Sequence, residues 1–249
     1  MKTFQLISII DLRGGFVASS NVETLGNHED MASFFASRAA GYERHMQANV
    51  EDFDSFYRGI ADALPPQPAA PDVLDLGIGT GLELDRLFER FPDARVTGID
   101  LSSEMLDELA RKDRPWHASL HLIRESFLEL DLGQSVYDAV ISSMALHHWV
   151  PDVKRALYGR IRAALRRGGT FVNADYVASQ GESMERLAAF RASSMDDTHE
   201  RHIDLPLTIE HEQELLREAG FDAICVISHG ANACIFAASG AVTSAMQRG

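Results

Sequence analysis

The sequence predicts an α/β fold: a doubly wound, mostly parallel sheet that ends in an antiparallel pair and is preceded by an N-terminal helical extension. Three observations predict it. From Val73 onward, short apolar runs alternate with segments of helical period, the pattern of strands joined by crossover helices. The last two apolar runs are separated by too few residues for a crossover, so they pair antiparallel. From Met31 to Leu64 the apolar residues recur at three- and four-residue steps, the period of amphipathic helices.

Taken in order, residues 1–30 form a leader with little pattern, although Phe4 to Ile10 would suit an extra strand. Residues 31–72 read as a helical cover followed by a connection. In that cover Phe53, Phe56 and Tyr57 are aromatic enough to meet apolar parts of a ligand. Pro65, Pro66, Pro68 and Pro71 then concentrate half of the 8 prolines where no helix can run. Residues 73–249 read as one domain. Val73–Leu76 is a strand, Thr80–Phe91 a helix and Arg95–Ile99 a strand. Ser102–Arg111 is a helix, Leu120–Arg124 a strand and Val136–Ser143 a strongly apolar strand. Asp152–Leu165 is a helix and Thr170–Val177 a strand. Helix Ile209–Ala219 stops at Gly220, and strands Asp222–Ser228 and Ala231–Ala238 flank His229-Gly230. If that dipeptide is a two-residue turn, Cys225 lies opposite Cys234.

Composition narrows the function. Hydrophobic residues at 45% and charged residues at 24% are an ordinary globular balance, which allows a core of normal size. A formal charge of −14 disfavours nucleic acid as the main partner, because phosphate binding needs a basic footprint. It favours a small-molecule substrate. No apolar run spans a bilayer, and the 2 cysteines offer neither a disulfide framework nor zinc spacing. The expectation is a cytoplasmic protein without a metal or a membrane partner. Its oligomeric state is left open, a homodimer included.

The strongest chemical signal is Val73-Leu-Asp-Leu-Gly-Ile-Gly-Thr-Gly81. A buried strand runs into three glycines at alternate positions and then opens a helix. Glycine permits a sharp turn and close approach of a ligand, and the helix start offers free N–H groups. Asp100 ends the next strand about 19 residues after Gly81. There it is placed to accept hydrogen bonds from both hydroxyls of an adenosine ribose. Its other reading is a cap on the helix that begins near Ser102. A dinucleotide fingerprint would want a third glycine where the chain has Leu82, and this counts against a nicotinamide oxidoreductase.

The Asp-Leu-Gly-x-Gly-x-Gly form closely resembles motif I of the class I S-adenosylmethionine-dependent methyltransferases. Further stretches resemble that superfamily in its order. They are Leu122-Ile-Arg-Glu-Ser-Phe127, Tyr137 through His148, Leu165-Arg-Arg-Gly-Gly-Thr-Phe171 and Ala219-Gly220-Phe221. The resemblance implies a seven-stranded sheet with a reversed last strand, S-adenosylmethionine as cofactor and S-adenosylhomocysteine as product. It implies that Gly77, Gly79 and Gly81 line the methionine end, with Asp75 toward the ammonium side. Asp100 would take the ribose and Leu101 would pack near the adenine. Ser126 and Phe127 would form the adenine-contacting pair, with Ser126 standing where the family often has an acid. Ser143 would pass the methionine moiety. The chain is also similar, distantly, to the carboxy-S-adenosylmethionine synthase branch, which holds an extra carboxylate with an arginine at a position that reads Leu215 here. A non-catalytic binder of the same cofactor is a further alternative.

His147 and His148 follow the fourth strand at the mouth of the implied site. Either could accept a proton from the methylated atom, or one could pack beneath the loop while the other faces solvent. His199-Glu-Arg-His202 lacks the i, i+4 spacing of a zinc helix. Lys154, Arg155, Arg160, Arg162, Arg166 and Arg167 read as a solvated helix face. Met184, Leu187, Phe190 and Met195 read as a core stripe.

Overall fold

The computed structural model describes residues 30–193, 202–230 and 232–240. The leader, Met195 and His199 lie outside the described residues. The N-terminal extension contains α1 (Met31–Ala36), α2 (Tyr42–Asn49) and α3 (Phe53–Asp62), with a 3-10 turn over Ala39–Gly41. Then come β1 (Asp72–Leu76), α4 (Leu84–Arg90), β2 (Arg95–Asp100), α5 (Ser103–Ala110), β3 (Leu120–Arg124) and β4 (Tyr137–Ser143). A 3-10 turn at Leu146–His148 leads to α6 (Pro151–Ala164), followed by β5 (Leu165–Tyr176) and α7 (Gln180–Ala192). The chain closes with α8 (Ile209–Glu218), β6 (Ala223–His229) and β7 (Ala233–Ser239).

The strands form one seven-stranded sheet in the order β3-β2-β1-β4-β5-β7-β6. Pairs among β1 to β5 are parallel, whereas β7 runs antiparallel to both β5 and β6. The expected architecture is therefore present, with β7 the reversed strand.

Helices on both faces require apolar residues at every strand position, divided by parity. Val73, Ile141, Val172 and Ile235 pack with Phe56, Tyr57, Ile60 and Leu87 on one face. Leu74, Val140, Phe171 and Phe236 pack with Leu157, Tyr158, Ile161 and Leu215 on the other. Helix starts carry the expected caps: Ser102 Oγ accepts from Met105 N, and Thr208 Oγ1 accepts from His211 N. The cap of α5 is thus Ser102 and not Asp100. Among the described residues no helix is long and apolar enough to cross a membrane.

Four expectations need correction. Cys225 pairs with Ala237, and Cys234 with Ser228. His229 pairs with Ala233, so the turn is longer than two residues and the register moves by three. An odd shift sends the two thiols to opposite faces, and Cys234 goes inward beside Phe236 and Ala238. Second, α3 is core rather than cover: Phe56 and Tyr57 are buried against the sheet. Third, α7 has no core stripe, since Met184 is 63% exposed and the helix buries only Ser183.

Fourth, the basic run from Lys154 to Arg167 is a solvated face only in part, at Arg155 and Arg167. Lys154 is fully buried and ion-paired with Glu212, whose second oxygen accepts from Tyr158 at 2.8 Å. Arg160 donates to the carbonyls of Phe127, Leu128 and Leu130, which ties α6 to the loop after β3. Arg166 joins Asp72 and Asp138.

The buried Lys154–Glu212 pair makes a stability prediction. Lys154→Ala leaves the Glu212 charge unpaired in the core and should cost about 3–5 kcal/mol in urea denaturation. The apolar double replacement Lys154→Met with Glu212→Leu should recover most of that loss.

Candidate active site

The strand order reverses between β1 and β4, and ligands of open α/β sheets bind in the crevice beyond the carboxyl ends at such a point. A small, mostly apolar cleft lies there. Its floor is Gly77, Gly79 and Ser143. One wall is Asp100, Leu101 and Phe127, and His148 stands opposite. Met31, Ala32, Phe35 and Tyr42 of the N-terminal extension close it. The extension therefore does roof the cleft, but with α1 and Tyr42. Phe53 and Tyr57 line a different groove.

The glycine turn is built as its sequence requires. Gly79 has φ +51°, and a Cβ there would point into open space, its nearest neighbours 3.9–4.0 Å away. Gly81 serves packing instead: a Cβ would meet Leu84 Cδ1 at 2.6 Å and Leu109 Cδ1 at 2.9 Å, and the residue does not line the cleft. Met144, which does line it, is also left-handed at φ 50°, an uncommon state for a bulky residue.

Asp100 Oδ2 accepts from Gly79 N and Oδ1 from Ser102 N, each at 2.8 Å. The carboxylate thus braces the turn while presenting further lone pairs to the cleft. Burial pushes its pKa up to about 6, against the pull of those backbone donors. Beneath the turn, Asp75 and Glu83 are buried together. Both carboxyls are pushed upward by burial, and Asp75 is raised further by the charge of Glu83. Asp75 and Glu83 lie within side-chain hydrogen-bonding reach of each other, neither lines the cleft, and Oγ1 of Thr80 has no hydrogen-bond partner among the described residues. Glu83 Oε2 accepts from Ser143 Oγ at 2.8 Å.

His148 lines the cleft whereas His147 lies behind it, and both are buried. His147 Nδ1 bonds Asp175 Oδ1 at 2.6 Å, and Asp175 Oδ2 accepts from Leu146 N at 3.0 Å. Burial opposes a charge on His147, but Asp175 and Asp204 outweigh it and raise the pKa to about 9. Burial and the neighbouring His147 lower that of His148. His148 Nδ1 lies 2.8 Å from the Ile203 carbonyl, which can only accept, so Nδ1 carries the proton and Nε2 a free lone pair.

Comparison with known proteins agrees with this geometry. Residues 73–169 match the family described as methyltransferase domain. Over these residues the chain carries a methyltransferase domain. A curated relative, an uncharacterized methyltransferase of Anoxybacillus flavithermus, is 27% identical over 64% of this chain and 74% of its own. A carboxy-S-adenosyl-L-methionine synthase of Helicobacter hepaticus is 27% identical over 64% and 72%. Among solved structures, the fold is shared with Burkholderia thailandensis 1,6-didemethyltoxoflavin-N1-methyltransferase. The TM-score is 0.58 at 22% identity, covering 83% of this chain and 85% of that one.

The methyltransferase uses S-adenosylmethionine as cofactor, and the residues present fit it. Asp100 on the cleft suits a pair of hydroxyls, Gly79 leaves room for close approach, and the Asp75–Glu83 carboxyl pair sits behind Ser143, which lines the cleft. Gly77, Leu101, Phe127 and Ser143 line the cleft. Ser126 is buried just behind, its Oγ accepting from Leu128 N at 3.2 Å, and it does not line the cleft. Glu83, Tyr42, Asp175 and Asp204 were not singled out by motif. Only the roof position of Tyr42 had a signal, the aromatic richness of the extension.

If Asp100 holds the ribose, its pKa predicts a pH dependence. Protonation removes the acceptor, so calorimetric affinity for S-adenosylhomocysteine should fall as pH drops through about 6. Asp100→Ala should lose about 1–3 kcal/mol of affinity at pH 7.5 and flatten that part of the profile.

Proposed function

We propose that this methyltransferase acts on a small-molecule acceptor in the cytoplasm, seated between the glycine turn and His148 under the roof of residues 31–49. The observation that carries the reading is the single cleft that has Gly77, Gly79 and Asp100 on one side and Phe35, Tyr42 and His148 on the other. Its closure by α1 suits a compact acceptor, and the charge of −14 disfavours a polyanion. The Burkholderia protein that shares the fold binds 1,6-didemethyltoxoflavin together with S-adenosylhomocysteine, which supports a small-molecule acceptor. The synthase activity is disfavoured because Leu215, where that branch has its arginine, is buried in the core under α8.

When bound, the cofactor supplies a methyl group already activated as a sulfonium. The protein's own part is alignment and exclusion of water. Asp100 and the glycine turn hold the adenosine and methionine ends. Behind the turn, Glu83 accepts from Ser143 and orients it. Phe127 and Leu101 flank the adenine, and Phe35 and Tyr42 shield the acceptor. Where the acceptor atom bears a proton, His148 Nε2 takes it, because Nδ1–H is committed to Ile203. His147, clamped by Asp175, positions that loop.

Turnover with a panel of hydroxy, amino and thiol acceptors tests the assignment. In protein stripped of metal, His148→Gln should lower kcat roughly 10²–10⁴-fold. Its affinity for S-adenosylhomocysteine should stay unchanged. Binding without turnover across the panel would instead favour a non-catalytic binder. Residues 31–49 should gain hydrogen-exchange protection when S-adenosylhomocysteine is added, and equal protection with and without it would make the roof a fixed wall.

A further inference from the structure

The segment after α7 brings Asp204 against the two histidines at the end of β4. Its Oδ1 lies 3.5 Å from His147 Nε2, 3.4 Å from His148 Nδ1 and 3.8 Å from His202 Nε2. None of these is a good hydrogen bond, which would close to about 2.7–3.2 Å. Three imidazole nitrogens thus ring one carboxylate oxygen at long ion-pair separations. Zinc bound by nitrogen and oxygen at about 2.0–2.1 Å in a tetrahedron sets its ligand atoms about 3.3–3.5 Å apart. The separations from Asp204 to His147 and His148 have that length, and ligand atoms of His147, His148 and Asp204 all lie within 4.8 Å of one another.

The surroundings are those of a metal site. Histidine ligands are usually oriented by a carboxylate on the other ring nitrogen. His147 has that arrangement, with Nδ1 on the buried Asp175 at 2.6 Å and Nε2 left for a ligand. The main chain fixes the partners as well: Leu205 N donates to the His147 carbonyl at 2.7 Å. His202 is held by stacking on Phe34, ring centroids 3.4 Å apart. The site draws on the β4 loop and on the segment before α8, some 55 residues later, which is why no local spacing announced it.

The geometry points to a binding site for a divalent transition-metal ion of the zinc type, held by His147 Nε2, His148 Nδ1 and Asp204, with His202 as the fourth ligand. The ion needs the Nδ1 lone pair of His148, so loading breaks the bond to Ile203 and moves the imidazole proton to Nε2. Metal binding and the proton-acceptor role of His148 therefore exclude each other. The site stands on its own residues and does not depend on which acceptor is methylated.

The test uses the full chain, stripped with chelator and titrated with cobalt(II) as a spectroscopic probe, then with zinc in competition. One equivalent should bind with the visible d–d bands of a four-coordinate nitrogen and oxygen site, and zinc should displace it. Asp204→Asn and His202→Ala should each weaken binding at least ~10-fold. Asp175→Asn, which acts through His147, should weaken it about 10–100-fold. Calorimetric binding of S-adenosylhomocysteine to the same samples reports folding and the cofactor cleft separately, and neither Asp204 nor His202 lines that cleft. Absence of the bands, binding below one equivalent, six-coordinate spectra, or affinity unchanged in Asp204→Asn while S-adenosylhomocysteine still binds would each overturn the site.

Discussion

The structure depends on the placement of β1 between β2 and β4 in a parallel sheet. Crossovers from β1 to β2 and from β3 to β4 leave in opposite directions. The carboxyl ends of β1 and β4 therefore part and leave a crevice that no crossover helix fills. The glycine turn at the end of β1 and the histidine turn after β4 meet across it. Everything chemical in the protein is an occupant of that gap or a wall built to close it.

The two walls differ in charge, and the difference divides their work. Under the glycine turn, Asp75 and Glu83 are buried side by side with no cation against them among the described residues, and burial pushes both carboxyls toward the neutral form. Across the cleft the acids are matched by imidazoles, with Asp175 under His147 and Asp204 among His147, His148 and His202. Asp100 stands between these regimes, its oxygens already accepting from the turn it braces. The Lys154–Glu212–Tyr158 group behind β5 carries buried charge of another kind, locking α8 onto α6 where apolar packing alone would leave their relative register free.

Folding of the tail shows how local and global constraints compete. A two-residue turn at His229-Gly230 is locally acceptable, but β7 must also pair with β5 and turn Cys234, Phe236 and Ala238 toward the α6–α8 face. Burial of that row costs more to abandon than a few extra turn residues, so the sheet face sets the register. A similar logic moved the N-terminal aromatics. Phe56 and Tyr57 fill the face opposite α6, and Met31, Phe35 and Tyr42 line the cleft.

What the sequence by itself determined was whatever is written in neighbouring residues. Alternating strands and helices, the glycine turn, Asp100 at the end of β2 and the antiparallel close of the sheet are all local patterns with a fixed physical meaning. Family resemblance could then place Gly77, Leu101, Phe127 and Ser143 on the cleft. Only the tertiary structure decided which charges face one another. Glu83 reaches Ser143, Asp175 reaches His147 from the next strand, and Asp204 arrives from a segment with no periodic signal at all. Lys154 looked like one more cation on a basic helix until Glu212 was set against it. Partners that meet through the packing of distant elements leave no mark in local spacing, because burial and pairing energies depend on position in space and not on separation along the chain.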